Sequence, residues 1–470
     1  MRISCVSHPP PAAASTYIKE KVFDGQLFVA GRTPTEQVKM RLLLALCLLA
    51  VAPCAFAELQ EIFKWKQVDF NFANDSVRQE ALKSGAYDPK NALPLGIAYY
   101  EGRVFISLPK WKPGTSATLV TVPYDAAKAT EQGATSPLLN PYPNWSWHQR
   151  PEGDCDGLTS VFRMQVDQCG RLWVLDSGLE NVATGGKQVC PSQLLIFDLK
   201  SDTLLRRYRI PKTSLKDNSF LAALTLDVAG DQCGSEQDDS FAYFADIYGN
   251  GLIVYSFKDD RSYRVDHPYF MPDPLACKFN AGGINFRWVD GVFGLALSPL
   301  VPSDPTNRTL YFHPMSSFNE FSVPTYILRN ETAANQEDND EFKVLPERRG
   351  RKYSQASAST MSKEGILIYN LVSRNAIGCW NTHQPHYEGL CGTLYQNNET
   401  LSLPNDITID EENHIWVLSD KLHKYLYKEL SPEEYNFRVL RGDINKDVKG
   451  TSCDPEYKPK PEELEPKCAP

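Results

Sequence analysis

The chain has 470 residues, of which 49 are Lys or Arg and 58 are Asp or Glu, so its formal net charge at pH 7 is −9. An acidic chain argues against nonspecific nucleic-acid binding, which depends on basic patches. Hydrophobic residues make up 42% of the sequence, which is ordinary for a globular protein and sufficient for a sizeable core.

The N-terminus predicts an exported protein. Met40-Arg41 is followed by the apolar run LLLALCLLAVAPCAFA, which ends in a small-x-small site at residues 55–57. A charged start, a short apolar run and such a site are typical of a secretory signal peptide. We therefore interpret residues 1–39 as an upstream extension, residues 40–57 as the signal peptide and the mature protein as secreted; a type II membrane anchor is the alternative.

Repeated strand patterns follow from residue 58 onward. The segment DQCGRLWVLDSG (167–178) returns as DEENHIWVLSDK (410–421), with an Asp six residues before a Trp in each copy. Weaker copies give six units that begin near residues 94, 158, 222, 291, 356 and 404, each with short strands and Gly/Asn/Asp turns. Such repeats favour an all-β fold, a six-bladed β-propeller over residues 58–445, whereas a tandem array of sandwiches would need linkers. No stretch of the mature chain shows clear helical periodicity.

Closure of the ring is expected to join the two ends of this region. A strand near 63–70 should pair with C-terminal strands near 437–440, which removes an exposed edge. Residues 446–470 form a tail rich in Pro, Glu and Lys.

The cysteines predict disulfides rather than metal sites, because no C-x-x-C pair occurs. One group could form two bridges in three connectivities, and consists of Cys155, Cys169, Cys190 and Cys233. Local pairs are predicted between Cys379 and Cys391 and between Cys453 and Cys468, which would leave Cys277 free.

Five N-x-[ST] sequons agree with secretion and predict N-glycosylation. Their asparagines are Asn74, Asn144, Asn307, Asn330 and Asn398.

Motifs for nucleophilic or metal catalysis are missing: the chain has no G-x-S-x-G and no H-E-x-x-H. His383 and His386 are spaced like helical metal ligands, but Pro385 between them argues against a helix, so we interpret both as surface residues. Asn405 and Asp406 resemble a calcium-binding segment of gluconolactonase-type propellers, yet a polar turn into the next strand explains them better. We predict neither a bound metal nor another cofactor.

Several motifs, found in order over residues 58–442, resemble the yellow/major royal jelly protein family of insects. They are WKQVDFNF (65–72), GRLWVLDSG (170–178), CPSQLLIFDL (190–199), WVDGVFGLALSP (288–299) and NAIGCWN (375–381). The resemblance implies a six-bladed propeller, secretion, and roles that range from pigmentation and dopachrome conversion to amine binding and nutrition.

The same resemblance implies a ligand site for small aromatic amines or catechols. By motif position, the Thr, Asn and apolar ring contact of the amine-binding members fall on Thr360, Asn375 and Ile377. The alternative is that Thr360 and Asn375 only satisfy turn backbone. The predicted function is therefore binding of catechols or indoleamines in pigmentation or cuticle biology. The alternatives are a dopachrome-converting tautomerase and a noncatalytic protein of cuticle or eggshell.

Overall fold

The computed structural model describes residues 58–464, except for 128–133, 152, 229–232, 236, 302–303, 305–306, 338, 351 and 387. The predicted extension, signal peptide and Cys468 lie outside the described residues. No helix in this part of the chain is both long enough and apolar enough to cross a membrane.

Six small sheets form the blades of a six-bladed β-propeller, as predicted from the repeats. The first three blades contain β2 (Gly96–Tyr100), β3 (Arg103–Ser107), β4 (Leu119–Pro123) and β6 (Asn140–Pro141); β7 (Val161–Val166), β8 (Arg171–Asp176), β11 (Gln193–Asp198) and β12 (Thr203–Arg209); and β13 (Leu221–Asp227), β14 (Phe241–Asp246), β15 (Gly251–Ser256) and β16 (Arg261–Asp266).

The fourth and fifth blades contain β19 (Val292–Leu297), β20 (Thr309–Pro314), β21 (Phe321–Pro324) and β22 (Lys343–Val344); and β23 (Ala356–Met361), β24 (Ile366–Leu371), β25 (Ala376–Asn381) and β26 (Gly392–Gln396). The sixth contains β27 (Pro404–Ile409), β28 (His414–Ser419), β29 (Phe437–Asp443) and β1 (Gln60–Trp65), with β5 (Ala134–Thr135) added to its edge.

Two small hairpins lie outside the blades. One pairs β9 (Leu179–Glu180) with β10 (Lys187–Gln188), and the other pairs β17 (Lys278–Ala281) with β18 (Ile284–Arg287).

Ring closure occurs in the sixth blade. β1 pairs antiparallel with β29, with Phe63 opposite Val439 and Trp65 opposite Phe437. The predicted closure is therefore confirmed, although the N-terminal strand ends at Trp65 rather than near residue 70. The first strand of every blade packs against that of the next, and these six inner strands surround the propeller axis.

The repeated Asp–Trp spacing forms the same contact in the second and sixth blades. The Trp173 indole N–H donates to Asp167 at 2.7 Å, and the Trp416 indole N–H donates to Asp410 at 2.8 Å. Each Asp also accepts backbone N–H groups of its own turn. A separation of six residues places the Asp in the turn and the Trp in the strand that follows. The repeated spacing therefore gives each buried indole N–H a hydrogen-bond acceptor.

The structure contains helices that the sequence analysis did not predict: α1 (Asp75–Ser84), α2 (Thr325–Leu328), α3 (Glu331–Ala334), α4 (Leu422–Tyr427) and α5 (Ile444–Asp447). The longest, α1, is capped by Asn74, whose side chain accepts from Val77 N–H, and it ends at Gly85 in the left-handed conformation. It buries none of its residues fully. Without an apolar stripe, a helix gives no periodicity to detect.

Three disulfides join Cys155 to Cys190, Cys169 to Cys233 and Cys379 to Cys453. The predicted pairings of Cys379 with Cys391 and of Cys453 with Cys468 are wrong. Cys379 lies opposite Gly392 in the β25–β26 ladder, so these two residues share one face of the sheet. Cys391 directly precedes Gly392, so its side chain points to the other face and away from Cys379. Cys391 and Cys277 are free cysteines.

Candidate functional site

A cavity of about 230 Å³ opens where the inner strands begin, and we call it the upper pocket. Most of its wall is apolar, and seven of the lining residues are aromatic: Trp111, Phe162, Phe220, Tyr248, Trp288, Phe293 and Tyr427. Its polar lining includes Asp290, Ser357 and Asn405. An apolar cavity with a few convergent polar groups is the usual form of a small-molecule site.

Asp290 is held at this pocket by the connection from the β17–β18 hairpin into β19. Its backbone N–H donates to Ser316 Oγ at 3.2 Å, and its carbonyl accepts from Ser316 N–H at 3.1 Å. The next residue must be glycine, because a Cβ on Gly291 would lie 2.2 Å from Asn250 Oδ1. This close approach restricts the backbone position of Gly291 and therefore of the neighbouring Asp290.

The Asp290 carboxyl has no hydrogen bond or ion pair to any residue that the structure describes. Surrounding protein atoms exclude much of the water from it, although the pocket leaves the residue partly accessible. This desolvation raises the pKa of Asp290 to about 7. A carboxyl that titrates near neutral pH can take up and release a proton during a reaction.

Two tyrosines face the same space. The Trp288 indole N–H donates to Tyr427 Oη at 2.6 Å, which leaves the Tyr427 hydroxyl hydrogen free to donate elsewhere. Phe286 of the hairpin stacks on the Tyr427 ring at 5.2 Å. Burial raises the pKa of Tyr248 to about 12, with the Asp290 charge adding to the shift. Both phenols are therefore proton donors, not phenolates, at neutral pH.

A buried polar network lies on the propeller axis beneath the upper pocket, and of its Arg, Asn and Asp side chains only that of Asn405 lines that pocket. Arg163 donates to Leu95 O at 2.6 Å and to Asn405 Oδ1 at 2.8 Å, and its Nε lies 3.2 Å from Asp406 Oδ1. Asn405 donates in turn to Asp420 at 2.7 Å. Burial raises the pKa of Asp420 to about 8 and lowers that of Arg163.

This network corrects the interpretation of Asn405 and Asp406 as a turn. Both residues belong to β27, and the Arg163 guanidinium lies among the oxygens that a metal ion would need. Among the described residues, no group of three or more His, Cys, Asp or Glu side chains is arranged to hold a metal ion.

The residues predicted from the family resemblance are not brought together. Thr360 lies near the end of β23 and lines a second axial cavity. Asn375 lies in the turn at the other end of the blade, where its side chain accepts from Leu403 N–H and donates to Asn398, both at 3.2 Å. The Ile377 side chain is fully buried in the hydrophobic core. Their role in ligand binding stays a prediction.

The two spaced histidines differ in environment. His383 is exposed, as predicted. His386 is buried against the Trp380 ring at 4.7 Å, so its interpretation as a surface residue is wrong. Burial lowers the pKa of His386 to about 4, which keeps it neutral at physiological pH.

Asp290, Trp288 and Tyr427 were missed as site residues. Asp290 is part of the WVDG segment that carries the family resemblance, directly before an inner strand. That position was the available signal, because residues that precede inner strands lie at the mouth of a propeller. Tyr427 comes from α4, and nothing local relates it to Trp288, which is 139 positions away.

Residues 159–453 match the family model described as "Major royal jelly protein". The chain is 39% identical over 421 residues to "Protein yellow" of Drosophila yakuba, covering 89% of this chain and 75% of that protein. It is 37% identical over 406 residues to "Dopaminechrome tautomerase" of Drosophila melanogaster, covering 85% of each.

Among solved structures, a virginiamycin B lyase from Staphylococcus aureus covers 75% of this chain and 96% of its own at 13% identity and a TM-score of 0.39. Similarity at that level carries no functional information. The extent and identity of the sequence matches decide the relationship: the chain belongs to the yellow/major royal jelly protein family.

Proposed function

We propose that the protein binds small planar catechol or indole derivatives in the upper pocket and tautomerises aminochromes, the cyclised quinones of catecholamines. The observation that carries this proposal is the unpartnered Asp290 carboxyl inside an aromatic cavity. The similarity to a relative named dopaminechrome tautomerase supports it. The protein would act outside the cell, in the chemistry of melanin pigments.

The reaction requires a base and a hydrogen-bond donor on opposite sides of the substrate. In each of two successive proton shifts, a C–H bond of the five-membered ring breaks, its electron pair forms a ring double bond, and a quinone oxygen gains a proton. The dihydroxyindole that forms is an isomer of the aminochrome, so no net oxidation occurs. The Asp290 carboxylate takes the carbon-bound proton, and the Tyr427 hydroxyl donates to the oxygen on which negative charge develops. The protonated Asp290 then releases its proton to water, and water supplies the proton that the quinone oxygen gains, so both side chains are restored.

The charge of the pocket favours one class of aminochrome. Asp290 is the one charged side chain among the described residues that line it, and no Lys or Arg is present there. A substrate carboxylate placed near Asp290 would be repelled and left without a cation. We therefore expect a decarboxylated aminochrome to be converted faster than its carboxylated counterpart.

Asp290→Asn tests the catalytic part of the proposal, because the amide keeps the shape and removes the base. Loss of a general base typically costs about 10²–10⁴ in rate, so kcat/KM for dopaminechrome, followed by its visible absorbance, should fall by that factor. In the wild type, kcat/KM should rise with pH up to about 7, because the carboxylate is the active form.

Asp217→Asn is the matched control, since Asp217 is an exposed carboxylate in the loop that precedes β13. It should leave turnover unchanged. Full activity of Asp290→Asn would contradict the catalytic role of this residue. If the wild type binds dopamine or serotonin tightly but converts no aminochrome, the protein is a binding protein and not a tautomerase.

A further inference from the structure

A second cavity lies on the axis where the inner strands end, and we call it the lower pocket. It has a volume of about 130 Å³ and a polar wall. Its hydrogen-bonding groups include Gln165, Thr225, Arg308, Ser359, Thr360 and Thr408. The Arg163–Asp406 pair lies between this cavity and the upper pocket.

Arg308 lines this cavity with a guanidinium whose hydrogen-bond donors are only partly occupied. Its Nε donates to Ser298 O at 2.7 Å, and one terminal nitrogen lies 3.6 Å from Asp227 Oδ1. No hydrogen bond to a described residue uses its terminal N–H groups. A guanidinium has five donors in a rigid fork that matches the oxygens of a carboxylate, sulfate or phosphate.

Asp227 does not fully neutralise the charge of Arg308, because it forms a closer ion pair with a second arginine. Arg329 contacts Asp227 through Nε at 3.0 Å and through a terminal nitrogen at 2.8 Å. Tyr243 adds a hydrogen bond to the same carboxylate at 2.9 Å. The second partner of Arg329 is Asp239, whose side chain is half exposed, outside the lining of the lower pocket.

Unpartnered polar atoms point to an occupant. Ser359 is only 9% exposed, lines the cavity, and its hydroxyl has no hydrogen-bond partner among the described residues. The buried Oε1 of Gln165 also has no such partner. Most buried polar side-chain groups are hydrogen-bonded, so the wall of this cavity is built for a polar molecule.

The remaining charges of the wall agree with an anion. Two guanidinium groups, Arg163 and Arg308, face one carboxylate, Asp406. That carboxylate is already held by Arg163 and by Ile97 N–H at 2.7 Å. We infer that the lower pocket is a binding site for a small oxyanion, held by the Arg308 guanidinium and the Ser359 hydroxyl. This inference is independent of the function proposed for the upper pocket.

Calorimetric titration of the full secreted protein with sodium sulfate, phosphate and acetate, against sodium chloride at equal ionic strength, tests the site. The three salts separate inorganic oxyanions from a carboxylate. We expect saturable binding of at least one oxyanion and a higher melting temperature in its presence. Hydrogen bonds to charged groups contribute about 1.5–3 kcal/mol, so Arg308→Gln should weaken binding about 10- to 150-fold.

Ser359→Ala removes a neutral hydroxyl and should weaken binding about 2- to 12-fold without removing a charge. If Arg308→Gln fails to fold, the affinity of Ser359→Ala for the oxyanion tests the site instead. Arg261→Gln is the control, because Arg261 forms an exposed pair with Glu331 on an outer strand, and it should bind like the wild type. The inference would be overturned if the wild type bound no oxyanion, or if the Arg308→Gln and Ser359→Ala variants bound it as tightly as the wild type does.

Discussion

The two cavities lie at opposite ends of the same six inner strands, yet their chemistry is opposite. The upper pocket is aromatic and contains a carboxyl without a partner, whereas the lower pocket is lined with hydroxyls and contains a guanidinium. The strands provide both with similar backbone, so the backbone does not cause this difference. It comes from the side chains of the strands and from the segments added at the upper end.

At the upper end, insertions enclose the strand termini. The turn at Val182–Thr184, the segment that follows the β17–β18 hairpin and α4 each contribute apolar side chains to the wall: Val182, Ala183, Trp288, Leu422, Leu426 and Tyr427. At the lower end the wall consists mainly of the strand ends themselves. Enclosure by apolar side chains is what raises the pKa of Asp290, since the charged carboxylate loses water there and gains no partner.

The Arg163–Asp406 pair separates the two regions, and breaking it should have the largest effect. Arg163→Met leaves Asp406 as a buried charge without its partner, which should cost about 3–5 kcal/mol in the free energy of unfolding. Urea denaturation measures this loss. Both cavities should change together, because Arg163 lines the lower pocket and holds Asn405, which lines the upper pocket.

The double variant Arg163→Met/Asp406→Leu is the control for that prediction. Removing both charges should recover part of the stability, because the desolvated carboxylate is gone. If Arg163→Met is as stable as the wild type, the Arg163–Asp406 pair does not stabilise the region between the two cavities.

Asp290 should lower the stability of the protein at neutral pH, in contrast to the paired carboxylates. Its pKa is raised from 3.8 to about 7 in the folded state, so the folded protein loses stability as pH rises through that window. Asp290→Asn stays neutral throughout, so it should be more stable than the wild type at pH 8, by roughly 1–3 kcal/mol after allowance for the solvent in the pocket.

Chemical denaturation at several pH values measures this difference, which should shrink towards pH 4. A constant difference between pH 4 and pH 8 would contradict the assigned titration of Asp290. Asp217→Asn, at an exposed site, should show no such pH dependence.

Asn375 lies outside the lining of both cavities, and its substitution should have the smallest effect. Its backbone has a φ of 49° and its side chain holds two turn contacts. Asn375→Ala should cost about 1–2 kcal/mol, from strain in the left-handed region and lost hydrogen bonds.

Asn375→Gly should cost less than Asn375→Ala, because glycine adopts this conformation without strain. Neither variant should change the affinity of the upper pocket for dopamine, as measured by calorimetry. A loss of affinity at unchanged melting temperature would instead place Asn375 in a ligand site, as the family resemblance implies.

The sequence by itself determined the architecture. An Asp and a Trp six residues apart encode a turn and a strand, and the Asp167–Trp173 and Asp410–Trp416 hydrogen bonds show why that spacing recurs. The six predicted units coincide with the six inner strands for the same reason: each repeat is local and short. The motifs that resemble the yellow/major royal jelly proteins were sufficient to identify the family before any contact was known.

Only the tertiary structure decided the contacts between distant segments. All five sequon asparagines are exposed, and their glycosylation stays a prediction. The Cys379–Cys453 bridge joins the fifth blade to the tail, and the Trp288–Tyr427 bond joins the segment before the fourth blade to α4. Asp290 looks like any polar residue before a strand until the insertions enclose it. Desolvation depends on every atom around a group, so local sequence could place Asp290 at the mouth but could not predict its pKa or its role.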